Sequence, residues 1–136
     1  MREIAQLLNQ LRDADVVLQY ALFGTFAQMR YTAPVATEDV DVLVRVPEPN
    51  RLDVLSDIYA FCKQKGYTAE GEAVRIGTWP LQFIPAFDDL TSEAIDSAES
   101  VSIEGISLRV VRVERRTLER LVAHLGVTGI GQHESR

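Results

Sequence analysis

The sequence predicts a single α+β domain of α/β-like character, a mixed β-sheet with helices packed mainly on one face. Three observations carry this expectation. Helical and strand periodicities alternate through the first half of the chain, and two glycine-marked hairpins follow, so parallel and antiparallel neighbours must share a sheet. The composition, 46% hydrophobic and 25% charged, is near the globular average and contains no polar or Pro/Gly-rich tract. At 136 residues the chain is close to the roughly 150 of one domain, so 1–136 reads as one unit with 126–136 as a flexible tail.

Each element has its own signal. Ile4, Leu7, Leu8 and Leu11 recur at i, i+3, i+4 and i+7 within residues 2–14, the stripe of an amphipathic helix that lies on a sheet. Val16 to Phe23 is β-branched and apolar enough for a buried strand, and it stops at Gly24. Thr25 to Tyr31 has a short helical pattern through Phe26, Ala27 and Met29, which makes Gly24-Thr25 a strand-to-helix turn. Thr32-Ala33-Pro34 ends that helix, and Glu38 to Val46 reads as a second strand closed by Pro47-Glu48-Pro49.

Asn50 is placed to cap a helix whose stripe is Leu52, Leu55, Ile58, Tyr59 and Cys62, with Gly66 as its stop. Val74 to Ile76 and Leu81 to Phe87 form a hairpin about the turn Gly77-Thr78-Trp79-Pro80. Asp88 to Ala98 fits a short capped helix. Val101 to Ile103 and Ile106 to Val113 form a second hairpin about Glu104-Gly105, and Arg115 to Leu125 a last helix.

Charge and cysteine usage narrow the function classes. Twenty acidic residues against 14 basic give a net charge of −6, so the whole-molecule field repels a nucleic-acid backbone and any polynucleotide contact must be local. No apolar run approaches the about 18 residues of a membrane span, and Glu3 and Asp13 do not fit a signal peptide, so no membrane partner and a cytoplasmic location are expected. Cys62 is alone, which excludes an intrachain disulfide and a cysteine metal cluster; its helical spacing makes it a buried small hydrophobe.

Two further groups have competing readings. Arg109, Arg112, Arg115, Arg116 and Arg120 fit a local anion or RNA surface, and fit better a solvated strand edge and helix face paired with Glu114 and Glu119. Trp79 reads as packing over its hairpin turn, with base stacking as the alternative, while His124 is a helix-face residue and His133 part of the tail.

The main chemical signal is Asp39 and Asp41. Side chains at i and i+2 of a strand share a face, so the two carboxylates project together while Val40, Val42 and Val44 point to the opposite side. Adjacent carboxylates repel unless a cation lies between them, and hard oxygen ligands suit Mg²⁺ or Mn²⁺; the same spacing also fits ordinary strand-end solvation. The hydrophobic run follows the pair, which therefore stands at the start of its strand, shortly after a Gly24-Thr25 turn whose backbone N–H groups suit an anion such as a triphosphate.

Together, Leu22-Phe23-Gly24-Thr25-Phe26-Ala27 and Thr37-Glu38-Asp39-Val40-Asp41-Val42-Leu43-Val44 resemble the nucleotidyltransferase superfamily, in particular its small AbiEii-type, toxin-like branch. The resemblance covers residues from about 16 to 113. It implies a nucleotidyltransferase-like mixed sheet in which Asp39 and Asp41 hold Mg²⁺ or Mn²⁺ and Gly24 and Thr25 contact the phosphates of a nucleoside triphosphate. The implied reaction is in-line attack of an acceptor, RNA or protein, on the α-phosphorus. The third catalytic position of that family, a carboxylate on a later strand, falls here on Gln82, whose amide oxygen is a weak ligand and not a base. That departure brings in a second expectation, a catalytically degenerate binding or regulatory module of toxin–antitoxin type, with an antitoxin partner or a homo-oligomer as its associate.

Overall fold

The computed structural model describes residues 2–23, 40–112, 119–121 and 123–124. Its elements are α1 (Arg2–Asp13), β1 (Gln19–Phe23), β2 (Val40–Arg45), α2 (Ser56–Gln64), β3 (Thr68–Glu70), β4 (Ala73–Ile76), β5 (Trp79–Pro85), α3 (Asp89–Asp96), β6 (Glu99–Ile103) and β7 (Ile106–Val110). The expected helix at 25–31 and the tail at 126–136 lie outside the described residues. Of the expected last helix, 119–121 and 123–124 are described and helical.

The strands form one seven-stranded mixed sheet in the order β3-β4-β5-β2-β1-β7-β6. Strand β2 lies at the centre, antiparallel to β1 and parallel to β5. Strand β1 runs parallel to β7, and the β3–β4, β4–β5 and β6–β7 pairs are antiparallel. This is the α+β architecture with a mixed sheet that the alternating periodicities predict.

The period-2 alternation divides the sheet into two apolar faces. On one, Tyr20, Leu22, Val40, Val42, Val44, Leu81, Phe83 and Leu108 pack under α1, through Ile4, Leu7, Leu8 and Leu11, and under α2, through Ile58 and Cys62. On the other, Ala21, Phe23 and Leu43 pack against Ala94 and Ile95 of α3 and against Leu121. The expected concentration of helices on one face thus holds for α1 and α2, whereas α3 covers the other.

Several boundaries move for identifiable reasons. Strand β1 begins at Gln19 rather than Val16 because Val16 and Val17 donate their N–H groups to the Leu11 carbonyl, closing α1, with Asp15 left-handed at φ 61°. Helix α2 begins at Ser56, not after Asn50: its N-cap is Leu55, without a side-chain cap bond, and Leu52 is fully exposed rather than part of the stripe. Residues 49–55 run as turns and a bend instead, with the Arg51 guanidinium reaching Glu48, Asp53 and Asp57 across them. At the other end Gly66, at φ 93°, stops α2 as expected.

In the β4–β5 hairpin only Gly77 and Thr78 form the turn, and Trp79 and Pro80 belong to β5, with Ile76 opposite Trp79 and Arg75 opposite Pro80. Trp79 is 8% exposed and packs in the α1–α2 core directly after the turn, in line with a packing role. Strand β3 has no sequence signal, since Thr68, Ala69 and Glu70 are all exposed. The β6–β7 hairpin turns on Glu104 and Gly105, both at positive φ, the twist that two-residue hairpins require. No described helix is long and apolar enough to cross a membrane.

Candidate functional site

Asp41 is the second residue of the central strand and is 3% exposed. Besides Asp41, the buried polar residues among those described comprise only Thr91. The ladder fixes Asp41 between two neighbours, with Phe23 of β1 opposite it on one side and Gln82 of β5 on the other. Its parity puts it on the face of Leu43, Ala21 and Phe23, away from Val40, Val42 and Val44, as the alternation of the Asp-x-Asp stretch predicts. Phe23, the last described residue of β1, lies directly opposite Asp41.

Gln82 shares this edge. Its side chain is half-buried, and its amide Nε2 donates to Glu72 Oε1 at 3.4 Å. Glu72 is held in turn by its backbone, whose carbonyl accepts from the Tyr59 hydroxyl at 2.8 Å. Ala73, opposite Gln82 on β4, keeps the neighbouring position small. The structure therefore brings together Asp41, Gln82 and Glu72, the last of which the sequence did not mark because a lone Glu in a two-residue turn after Gly71 carries no periodic signal. Asp39, Gly24 and Thr25 lie outside the described residues.

Asp41 is not without a partner. That accords with the cost of several kcal/mol for burying a carboxylate that nothing compensates. The donors on this edge are carboxylate and amide oxygens, the ligand type that Mg²⁺ accepts. Among the described residues no three His, Cys, Asp or Glu side chains converge on one metal-sized position.

A second polar cluster lies past the end of β5. Asp88 caps α3: its carboxylate accepts the Thr91 backbone N–H at 3.0 Å, and the Thr91 hydroxyl accepts the Asp88 N–H at 3.3 Å. The Thr91 backbone N–H foremost, then the Thr91 hydroxyl, which donates to the carboxylate at 2.7 Å, with His124 beside it, hold Asp88 below its usual pKa. His124 pairs with Asp88 through Nε2 and stacks on Phe87, ring centroids 5.5 Å apart. His124 is helical and exposed, as a helix-face residue should be, and in addition has these two neighbours. The pairing was illegible because 36 residues separate the two partners.

The arginine cluster divides. Arg109 turns inward, its Nε donating to the Tyr20 carbonyl at 3.2 Å and a terminal nitrogen to the Ile95 carbonyl at 2.6 Å, so it ties α3 to β1 rather than facing a polyanion or a solvated edge. Arg112 pairs with Glu99, Arg120 is exposed, and Arg115 and Arg116 lie outside the described residues. Cys62 is buried at 1% exposure, and burial pushes its thiol up to about 11, so it is an apolar residue and not a nucleophile. No protein-family model matches the chain, and no curated protein matches it.

Proposed function

We propose that this chain binds a nucleoside triphosphate with a divalent metal, Mg²⁺ or Mn²⁺, at the head of β2 and transfers the nucleotidyl group to an RNA or protein acceptor. One observation carries the reading: a buried carboxylate, Asp41, stands on the central strand of a mixed sheet, flanked by Gln82 and by the strand end that leads into Gly24. A buried carboxylate among Val40, Val42, Leu43 and Val44 is the kind of group that ligand sites use. In this reading Asp39 and Asp41 hold the metal, and Gly24 and Thr25 offer N–H groups and a hydroxyl to the phosphates. The metal, when bound, neutralises and orients the triphosphate. Gln82 positions but takes no proton, since an amide is not a base.

The state of Gln82 favours a second reading as well. Its Nε2 is engaged by Glu72, which suits a module that binds nucleotide without turnover, with an antitoxin-type partner or a second copy as its associate. Incubation with α-labelled ATP, CTP, GTP and UTP, Mg²⁺ and pooled tRNA or protein acceptors separates the two. Label transfer by the wild type that is absent from Asp39→Ala/Asp41→Ala supports transfer. Mg²⁺-dependent binding without transfer, with turnover restored in Gln82→Asp, supports the degenerate module; no Mg²⁺-dependent nucleotide binding at all rejects both.

A further inference from the structure

Behind the sheet, on the α1–α2 side and thus on the face opposite Asp41, a cavity of about 510 Å³ opens between α2 and the chain entering β3. Tyr59, Cys62, Lys63, Tyr67, Ala69 and Val74 are among its walls. The volume falls within the ~300–1,000 Å³ of pockets that hold small organic ligands, and the lining is mostly apolar.

We propose that this cavity binds a small, flat, apolar acid, its ring system against Tyr59 and Tyr67 and its anionic group at Lys63. The two tyrosines are fixed by their hydroxyls, Tyr59 donating to the Glu72 carbonyl at 2.8 Å and Tyr67 to Glu3 Oε2 at 3.1 Å. Their polar ends are therefore satisfied, and what remains for a ligand is ring surface, which favours offset or edge contacts with another aromatic system. The Cys62 thiol, protonated at neutral pH, adds an apolar wall that does not react.

The sign of the ligand charge follows from the local cations. Lys63 and Lys65 are the only lysines in a chain of net charge −6, and both lie at this helix end. Lys65 is committed to the Phe61 ring, 5.3 Å from its centroid. Lys63 is exposed at the cavity and has no ion pair among the described residues; of the acids nearby, Glu70 is ion-paired with Arg75, whereas Glu3 and Glu72 are hydrogen-bonded to the neutral Tyr67 hydroxyl and Gln82 amide and keep their charge. Lys63 is the lining residue with a cationic end, so an anionic group placed at the cavity pairs with it.

The probe is 1-anilinonaphthalene-8-sulfonate, an aromatic anion, with the uncharged N-phenyl-1-naphthylamine as its counterpart, titrated into the full chain by fluorescence. The wild type should give saturable, single-site enhancement. Ala69→Trp and Ala60→Trp, which fill the cavity from an exposed strand and from an exposed helix position, should each weaken both probes about tenfold or more with little change in Tm. Lys63→Ala should weaken the sulfonate by about two- to fivefold, as for a partly exposed ion pair, leave the neutral probe unchanged, and be rescued by Lys63→Arg. Non-saturable binding, or wild-type affinity in both folded tryptophan variants, overturns the cavity as the site. Equal sulfonate affinity in Lys63→Ala and wild type overturns the preference for an acid.

Discussion

Replacing Arg109 with Met tests the account of this fold at a position where sequence and structure disagree. The guanidinium donates to two backbone carbonyls, Tyr20 at 3.2 Å and Ile95 at 2.6 Å, on elements that are otherwise held together by apolar contact. A hydrogen bond with one charged partner contributes about 1.5–3 kcal/mol, and a half-buried site keeps part of that, so losing two costs about 2–4 kcal/mol. Met preserves the packing of the stem and isolates the polar loss. At about 4 °C per kcal/mol for a chain of this size, Tm should fall by about 8–16 °C. Urea unfolding followed by circular dichroism, with an unchanged m value, gives the number directly. The control is Arg112→Ala, which breaks a pair with Glu99 whose side chains are 53% and 59% exposed, and which should cost less than about 0.5 kcal/mol. Equal effects of the two substitutions would refute the distinction between an inward and a solvated arginine.

Leu22→Ala, at a fully buried position of β1, should destabilise by about 2–5 kcal/mol in urea melts, since the central strands leave no room for collapse. Asp88→Ala should lower Tm at neutral pH. Because the native carboxyl titrates below its unfolded value of 3.8, its stabilisation is present above that pH and is lost as pH falls through the folded pKa, so the gap between wild type and variant should close in acid; a constant gap from pH 7 to pH 2 contradicts the cap. Cys62 should resist Ellman's reagent in the native state and react fully in 8 M urea on the order of one thiol per chain, its burial keeping it both inaccessible and protonated.

What could be read from the sequence was whatever one element determines by itself. The stripe Ile4, Leu7, Leu8, Leu11 and the alternation Val40, Val42, Val44 against Asp41 and Leu43 report burial directly, because each residue's partner is the sheet as a whole. The capped start of α3 was legible for the same reason, since Asp88 and Thr91 are three residues apart. What escaped depends on distant pairs. Leu52 has the right spacing for the α2 stripe, but it lies in turns that precede the helix, where Arg51 pairs with Glu48, Asp53 and Asp57, and it stands in solvent. Strand β3 exists because β4 offers it an edge, not because Thr68-Ala69-Glu70 has an apolar face. At the candidate site, the placement of Gln82 on a strand beside Asp41 is what the family resemblance implied and not what spacing alone gives, whereas the contact of Glu72 with Gln82 arises from the β3–β4 turn and has no trace in spacing.

The central claim is that the carboxylate edge of β2 exists to hold a metal-bound triphosphate. Isothermal titration of the four nucleoside triphosphates, with Mg²⁺ and with EDTA, into wild type, Asp39→Asn and Asp41→Asn tests it most directly, asparagine keeping the size of the side chain while removing its charge. The account predicts Mg²⁺-dependent binding of at least one nucleotide, weakened about tenfold or more in each variant whose circular dichroism remains native. Nucleotide affinity that is indifferent to Mg²⁺ and to both substitutions, or no binding by the wild type, would contradict it.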